Sequence, residues 1–246
     1  MAPRLPHLKA QPADLAPLAL VCGDPARARA IAAHLTDVRH VGSHREYETF
    51  TGTAGGIPVT VSSHGVGAGG AAVCFEELIQ GGVRTLVRLG TCGSLQPQYR
   101  EGALIVVTGA VRRDGASDRL IPPAFPAVAD WRLVAALHEA ARSEPQATVG
   151  TGLALSEGVF YSGLLPSELP LWIAAGVLAI EMECSLLFTL AAIRGVRAAS
   201  LLAVDNYVPE RTEYEPHRDV VIAGVERMIR VAVRAVPGLA AVHYPI

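Results

Sequence analysis

The sequence is poor in lysine, cysteine and long apolar runs, and each scarcity narrows what the protein can be. Lys9 is the only lysine among 21 basic residues, so arginine is the default cation and a single arginine is weak evidence for a site. The 21 basic and 23 acidic residues leave a net charge of −2. That balance gives no electrostatic basis for binding nucleic acid or an anionic membrane.

No apolar run approaches the ~20 residues of a membrane span, and the first residues lack the apolar core of a secretory signal. The four cysteines form no Cys-x-x-Cys pair, and no histidine lies at metal-ligand spacing from them. We therefore expect a cytoplasmic protein with buried, reduced thiols, no membrane association and no bound metal.

The 246 residues, half of them hydrophobic, suit one α/β domain that spans residues 1–246. Short apolar runs alternate with helical patterns, as expected for an α/β sheet. The predicted strands are Pro17–Cys22, Val59–Ser63, Thr85–Leu89, Ala103–Thr108 and Ala198–Val204. The predicted helices are Ala26–Leu35, Ala71–Gln80, Trp131–Ala141, Cys184–Ile193 and Arg218–Val233. Residues Asp114–Asp130 form a predicted long, ordered loop.

Glycine and polar residues follow several of the predicted strands directly. They are Gly23–Arg27 after the first strand, His64–Gly70 after the second, Gly90–Gly93 after the third, and Asp205 with Asn206 after the last. Because α/β folds gather functional loops at the carboxyl ends of their strands, we expect a ligand site there.

Two carboxylates, Glu181 and Glu183, interrupt the otherwise apolar run Val177–Leu187. An ionised carboxylate taken out of water costs several kcal/mol, so each needs a compensating partner. One interpretation is a polar ligand that donates hydrogen bonds to them. The other is a structural pair satisfied by backbone amides or by an arginine.

Arg88 interrupts an apolar strand just before Gly90, and an arginine at that position requires an anionic partner. Together with Arg27 and Thr91 it favours a phosphate, although pairing with Glu76, Glu77 or Glu181 is the alternative. Asp205 and Arg218 allow two interpretations. In the first, the Asp205 carboxyl group protonates a leaving nitrogen and the nearby Arg218 cation assists; in the second, the two residues form a simple salt bridge.

These motifs, in this order, resemble the nucleoside phosphorylase-I family, which includes purine nucleoside phosphorylases, uridine phosphorylases and related nucleosidases. The resemblance extends from about His7 to about Arg218. The motifs are Gly23-Asp24-Pro25-x-Arg27, His44-Arg45-Glu46-Tyr47, Arg88-Leu-Gly-Thr91-Cys-Gly93, Phe160-Tyr161 and Glu181-Met182-Glu183. It implies a mixed, partly barrel-like central sheet flanked by helices, of the phosphorylase/hydrolase type.

The resemblance also implies a reaction in which inorganic phosphate, as co-substrate, cleaves a nucleoside to the free base and (deoxy)ribose 1-phosphate without a cofactor. The implied phosphate ligands are Gly23, Arg27, Arg45, Arg88 and Thr91. The implied ribose ligands are His7, Met182 and Glu183, and the base ligands are Phe160, Glu181 and Asp205. The implied catalytic residues are Asp205, Arg218 and Arg88. We expect loss of Arg88 to reduce turnover far more than folding stability.

His7 and Arg45 would serve a neighbouring subunit's site, so the resemblance implies a homo-oligomer, either a dimer or a hexamer. The resemblance favours purine nucleosides as substrates, because uridine enzymes of the family carry a Gln-x-Arg pair after the Phe-Tyr segment to bind uracil, and Ser162–Glu168 contains neither residue. Uridine phosphorylase is the alternative. A nucleosidase and a non-catalytic nucleoside-binding protein are less favoured.

Overall fold

The computed structural model describes residues 3–210, 215 and 217–242, and its centre is a single ten-stranded sheet. The strands are β1 (Leu18–Cys22), β2 (Thr36–His44), β3 (Tyr47–Ala54), β4 (Ile57–Ser63), β5 (Thr85–Ser94), β6 (Leu104–Arg113), β7 (Ala127–Val128), β8 (Val149–Glu157), β9 (Ala179–Glu181) and β10 (Arg197–Tyr207).

The sheet is open at one end and closed on itself at the other. Its order is β10-β6-β8-β9-β5-β1-β4-β3-β2, and β10 also pairs with β5. The strands β5, β9, β8, β6 and β10 therefore form a ring, from which β1, β4, β3 and β2 extend. Parallel and antiparallel pairs are mixed, so the predicted mixed, partly barrel-like α/β fold is confirmed.

Within the described ranges, six α-helices cover the two faces of the sheet. They are α1 (Pro25–Ala32), α2 (Ala68–Gln80), α3 (Trp131–Arg142), α4 (Leu169–Ala174), α5 (Cys184–Arg194) and α6 (Asp219–Ala240). Alternate residues of β1 enter opposite cores: Ala19 and Val21 pack in the core that contains residues of α2 and α5, whereas Leu20 packs in the core that contains residues of α1, α3 and α6. A strand buried on both faces is typical of a sheet between helical layers.

Every strand and helix predicted from the sequence is present, with ends shifted by up to seven residues. The predicted loop Asp114–Asp130 contains only a 3-10 turn at Ser117–Arg119 and the short β7. All four cysteines are buried and free. Within the described ranges, no helix has the length and apolarity to cross a membrane, and no cluster of His, Cys, Asp and Glu is suited to a metal ion.

Candidate active site

A pocket of about 630 Å³ opens at the carboxyl ends of β1, β4, β5 and β10, where the sequence predicted a ligand site. Its lining includes the sequence-predicted residues Gly23, Arg27, Arg88, Thr91, Phe160, Glu181, Met182, Glu183 and Asp205. Gly65, Val66 and Asn206, from the segments after β4 and β10 where a site was expected, also line it, as does Glu46. Glu157, Ile180 and Val208 line it as well, and the sequence assigned these three no role.

The first wall of the pocket is the junction between β1 and α1. Asp24 caps α1 by accepting a hydrogen bond from the Ala26 amide at 2.8 Å. The Gly65 amide donates to the Gly23 carbonyl at 3.0 Å, which joins the loops that follow β1 and β4. A Cβ at position 23 would lie 3.1 Å from the Gly65 carbonyl oxygen, so glycine permits this close approach. Arg27 reaches the pocket one turn into the helix.

Arg88 lines the pocket and is almost fully buried. Its guanidinium forms an ion pair with Glu183 and a second one with Glu181, at 3.3 Å. Burial alone would lower the pKa of Arg88. The negative charges of Glu183 and Glu181 raise that pKa by more than burial lowers it, so the guanidinium stays charged.

Two other hydrogen-bond donors of Arg88, Nε and Nη1, are buried without a partner among the described residues. A buried charged donor left unsatisfied is costly, so this geometry suits an anionic ligand that enters the pocket. The guanidinium folds over Gly90, where a Cβ would lie 1.6 Å from Nη1. Only glycine at position 90 allows Arg88 this conformation.

The structure identifies the carboxylates around Arg88. Glu76, which the sequence left as a possible partner, pairs instead with Arg194, and Glu77 holds His7. Since removing Arg88 would leave Glu181 and Glu183 buried without their cation, we expect its loss to lower stability as well as turnover. Breaking a buried pair on one side costs about 3–5 kcal/mol.

Glu181 is engaged by the protein itself. Its carboxylate accepts hydrogen bonds from the Ser156 hydroxyl at 2.5 Å, from the Glu183 amide at 2.8 Å and from the Cys184 amide at 3.0 Å. Burial raises the pKa of Glu181, more than the Arg88 charge lowers it. These contacts cap the first turn of α5, as the structural interpretation of Glu181 requires.

Glu183 joins two parts of the site. Its carboxylate accepts a hydrogen bond from the Gly67 amide, at the start of α2, at 2.5 Å, and it pairs with Arg88. Burial would raise the pKa of this carboxyl, but the Arg88 guanidinium holds it below its usual range. Glu183 is therefore an ionised acceptor at the pocket wall, next to Met182.

The opposite end of the pocket is apolar. Val159, Phe160, Ile180 and Val208 line it, and Phe160 is 44% exposed. A Cβ at Gly93 would lie 2.3 Å from a methyl group of Val208 and 3.2 Å from one of Ile180. Glycine at that position therefore keeps a flat surface between these side chains.

Asp205 reaches this end through an irregularity in β10. The register between β10 and β5 shifts between Val204 and Asn206, which leaves Asp205 as the extra residue of a β-bulge. Bulges near sites commonly redirect a side chain in this way. Arg218 donates to the Asp205 main-chain carbonyl at 3.0 Å and to the Glu101 carboxylate at 2.9 Å. The expected partnership of Arg218 is therefore made with the backbone of Asp205.

Besides Arg218, two predicted residues, His7 and Arg45, lie outside the pocket of their own chain. The His7 ring bonds to Glu77 at 2.6 Å, and its amide donates to the same carboxylate at 2.9 Å. Arg45 is exposed at the turn between β2 and β3, with a positive φ of 56°. Neither residue is part of the pocket lining in a single chain.

Known proteins share this fold and much of this sequence. The family model described as "Phosphorylase superfamily" matches residues 17–237. The chain belongs to the phosphorylase superfamily. A uridine phosphorylase from Treponema pallidum is 37% identical over 240 residues, covering 94% of this chain and 92% of the relative. A purine nucleoside phosphorylase from Plasmodium vivax is 33% identical over 236 residues, covering 95% and 96%.

The structural comparison agrees with this family. A purine nucleoside phosphorylase from Toxoplasma gondii in complex with immucillin-H superposes with a TM-score of 0.89 and 30% identity, covering 96% of both chains. A uridine phosphorylase from Vibrio fischeri superposes with a TM-score of 0.88 and 28% identity, covering 94% of this chain and 96% of that one. The family's fold therefore extends over nearly the whole chain.

Proposed function

We propose that this chain is a nucleoside phosphorylase that favours purine nucleosides and forms free base and (deoxy)ribose 1-phosphate. The observation that carries the proposal is the pair of unsatisfied Arg88 donors in a pocket that Arg27 and Thr91 also line. Converging N–H and O–H donors suit the oxygens of phosphate. The similarity to phosphorylases of both base classes supports the general reaction.

In the proposed reaction, phosphate binds at the Gly23, Arg27, Arg88 and Thr91 end, and the nucleoside extends toward Phe160. A phosphate oxygen bonds to the anomeric carbon while the carbon–nitrogen bond breaks and its electron pair passes to the base. The transition state carries positive charge on the sugar, which the adjacent phosphate stabilises. Asp205, in its acid form, gives a proton to the departing base.

Glu183 holds the ribose in this proposal. An ionised acceptor is suited to the 2′- and 3′-hydroxyls, and Met182 supplies an apolar surface beside them. Because Glu183 also pairs with Arg88, sugar binding and phosphate binding are linked through one ion pair. We assign Glu181 to positioning: it holds Arg88 and the first turn of α5 rather than the base.

The proposed preference for a purine base over uracil rests on the side chains at the pocket end opposite Arg27. Its polar side chains include Asp205 and Asn206, and among the described residues the basic side chains that line the pocket are Arg27 and Arg88. A uracil bound there would present two carbonyls with no cationic donor, which is costly. The relatives include both uridine and purine enzymes, so uridine phosphorylase is the second candidate.

We further propose that the enzyme works in the cytoplasm as a homo-oligomer, without a metal or an organic cofactor. Four buried free thiols are consistent with a reducing compartment. The positions of His7 and Arg45 outside their own pocket support a site shared between subunits.

The proposal is tested by measuring base release from inosine, guanosine, adenosine and uridine, with and without inorganic phosphate. We expect phosphate-dependent release of purines at least tenfold faster than release of uracil. Faster uracil release would favour the uridine enzyme. Release that does not depend on phosphate would indicate a nucleosidase, and saturable binding without product would indicate a binding protein.

A further inference from the structure

Glu157, the last residue of β8, is a pocket carboxylate with no assigned role. It is half-buried, and its Oε1 accepts a hydrogen bond from the Gly158 amide at 3.3 Å. Arg113 lies opposite it in the register of β6 and β8, but that guanidinium pairs with Glu168 at 3.1 Å. Within the described part of the chain, no ion pair occupies Glu157.

The sheet register shows which way Glu157 faces. Successive strand residues point to opposite faces, so Glu157 shares a face with Leu155. Leu155 is opposite Ile180 in β9 and packs in the cluster that includes Ile180 and Val208. Ser156, on the other face, bonds to Glu181. Glu157 therefore faces the apolar end of the pocket, away from Glu181.

The polar groups at this end are mainly acceptors. Glu157 contributes a carboxylate, and Asn206 Oδ1 is buried without a partner among the described residues, whereas Asp205 is the proposed proton donor. Among the described residues, the basic side chains of the lining are Arg27 and Arg88, and Arg88 is already paired with Glu181 and Glu183. A ligand group bound near Glu157 must therefore donate hydrogen bonds, since two acceptors facing each other leave both unsatisfied.

We propose that Glu157 determines base specificity by accepting two adjacent N–H donors from a purine, as guanine presents at N1 and its 2-amino group. This inference rests on the proposed function. A carboxylate accepts such a pair with both oxygens, which strengthens the contact. Adenine offers one amino group beside an acceptor nitrogen, and uracil offers one N–H between two carbonyls. Guanosine is therefore the favoured substrate.

The test compares kcat/KM for guanosine, inosine, adenosine and uridine in the wild type, Glu157→Gln and Glu168→Gln. The Glu168→Gln control removes the same charge nearby but outside the pocket lining. We expect the wild type to prefer guanosine over adenosine and inosine. Glu157→Gln should lower the guanosine-to-adenosine ratio at least tenfold, whereas Glu168→Gln should keep it within twofold.

The possible outcomes separate the two proposals. A wild type that cleaves none of the four nucleosides in phosphate contradicts the proposed function. An active wild type whose ratio is unchanged in Glu157→Gln contradicts only the role of Glu157. If Glu157→Gln does not fold, calorimetric binding of free guanine and hypoxanthine to the wild type decides. Guanine should bind at least tenfold tighter, and equal dissociation constants would overturn the inference.

Discussion

Arg88 and the residues packed around it determine what the pocket can bind. The guanidinium keeps Nε and Nη1 available because Glu183 and Glu181 hold only its remaining edge. Gly90 makes room for this arrangement, since any side chain there would occupy the position of Nη1. Anion binding by Arg88 therefore depends on Gly90, because only glycine leaves room for this position of the guanidinium.

We predict that Gly90→Ala reduces phosphorolysis at least a hundredfold, because the new methyl group must displace Arg88 from its pair with Glu183. Gly69→Ala is the matched control: it places a methyl group in open space in α2, where alanine is favoured by about 0.5–1 kcal/mol. Steady-state kinetics with saturating nucleoside and phosphate compare the two variants. Equal activities would refute this role for Gly90.

At the scale of elements, a chain of buried hydrogen bonds connects the loop after β6 with the pocket. Asp114 accepts from the Ser117 amide at 2.6 Å and from the Ser185 hydroxyl at 2.5 Å. The Ser185 amide donates to Ser156, whose hydroxyl donates to Glu181. The loop, α5 and the carboxylate beside Arg88 are thus held in one network.

We predict that Asp114→Asn lowers the free energy of unfolding by about 2–3 kcal/mol at pH 7, because a charged acceptor of several hydrogen bonds is lost. Burial raises the pKa of Asp114, but bonds from Ser117 and Ser185 hold it below its ordinary 3.8. Its stabilisation is therefore complete above that value and disappears as the pH falls through the folded-state pKa.

Thermal unfolding of the wild type and Asp114→Asn between pH 7 and pH 3 measures this effect. The difference in stability should be largest at neutral pH and should narrow toward pH 3. Asp118→Asn, in the same loop and paired with Arg112 at 3.0 Å, is the control, with an expected change below about 1 kcal/mol. A pH-independent difference for Asp114→Asn would contradict the assignment.

The strands β2 and β8 were not predicted from the sequence, and the structure explains why. The strand β2 is exposed along most of its length, so it lacks an apolar alternation. In β8, Gly150 and Gly152 resemble turn signals, but each leaves space for a neighbouring side chain. A Cβ would lie 2.7 Å from the Tyr99 ring and 2.8 Å from Leu178. Because β8 was missed, Glu157 carried no sequence signal.

The residues around the pocket were predictable where they followed a recognisable strand or motif, as for Gly23, Arg88 and Asp205. Their partners were not, because partner choice depends on contacts between residues far apart in sequence. Glu183 bonds to Gly67, and Arg218 bonds to the main chain of Asp205. Motif spacing alone does not encode such contacts.

At the scale of the whole molecule, the pocket of a single chain lacks two of the proposed ligand residues. His7 bonds to Glu77 and Arg45 projects from an exposed turn, so neither reaches the pocket of its own chain. The proposed assembly pairs two chains so that each completes the other's site, as a two-fold interface requires.

We predict that Arg45→Ala and Arg27→Ala oligomers, each nearly inactive, regain activity when they are unfolded and refolded together. A mixed pair holds one complete site, so random pairing of equal amounts restores about one quarter of wild-type activity. Turnover of the refolded mixture and its mass in solution are measured together. Absence of recovery in verified mixed oligomers would show that Arg45 does not serve a neighbour's site.

Arg27 provides the most direct test of the phosphate subsite. It lines the pocket and its Nη1 donates to the Leu89 carbonyl at 3.4 Å, whereas Arg29, on the same helix, is exposed and pairs with Glu48. The decisive measurement is kcat/KM for phosphate in Arg27→Ala and Arg29→Ala. We predict a loss of at least thirtyfold for Arg27→Ala and a change within twofold for Arg29→Ala. Equal values for the two variants would contradict phosphate binding at this end of the pocket.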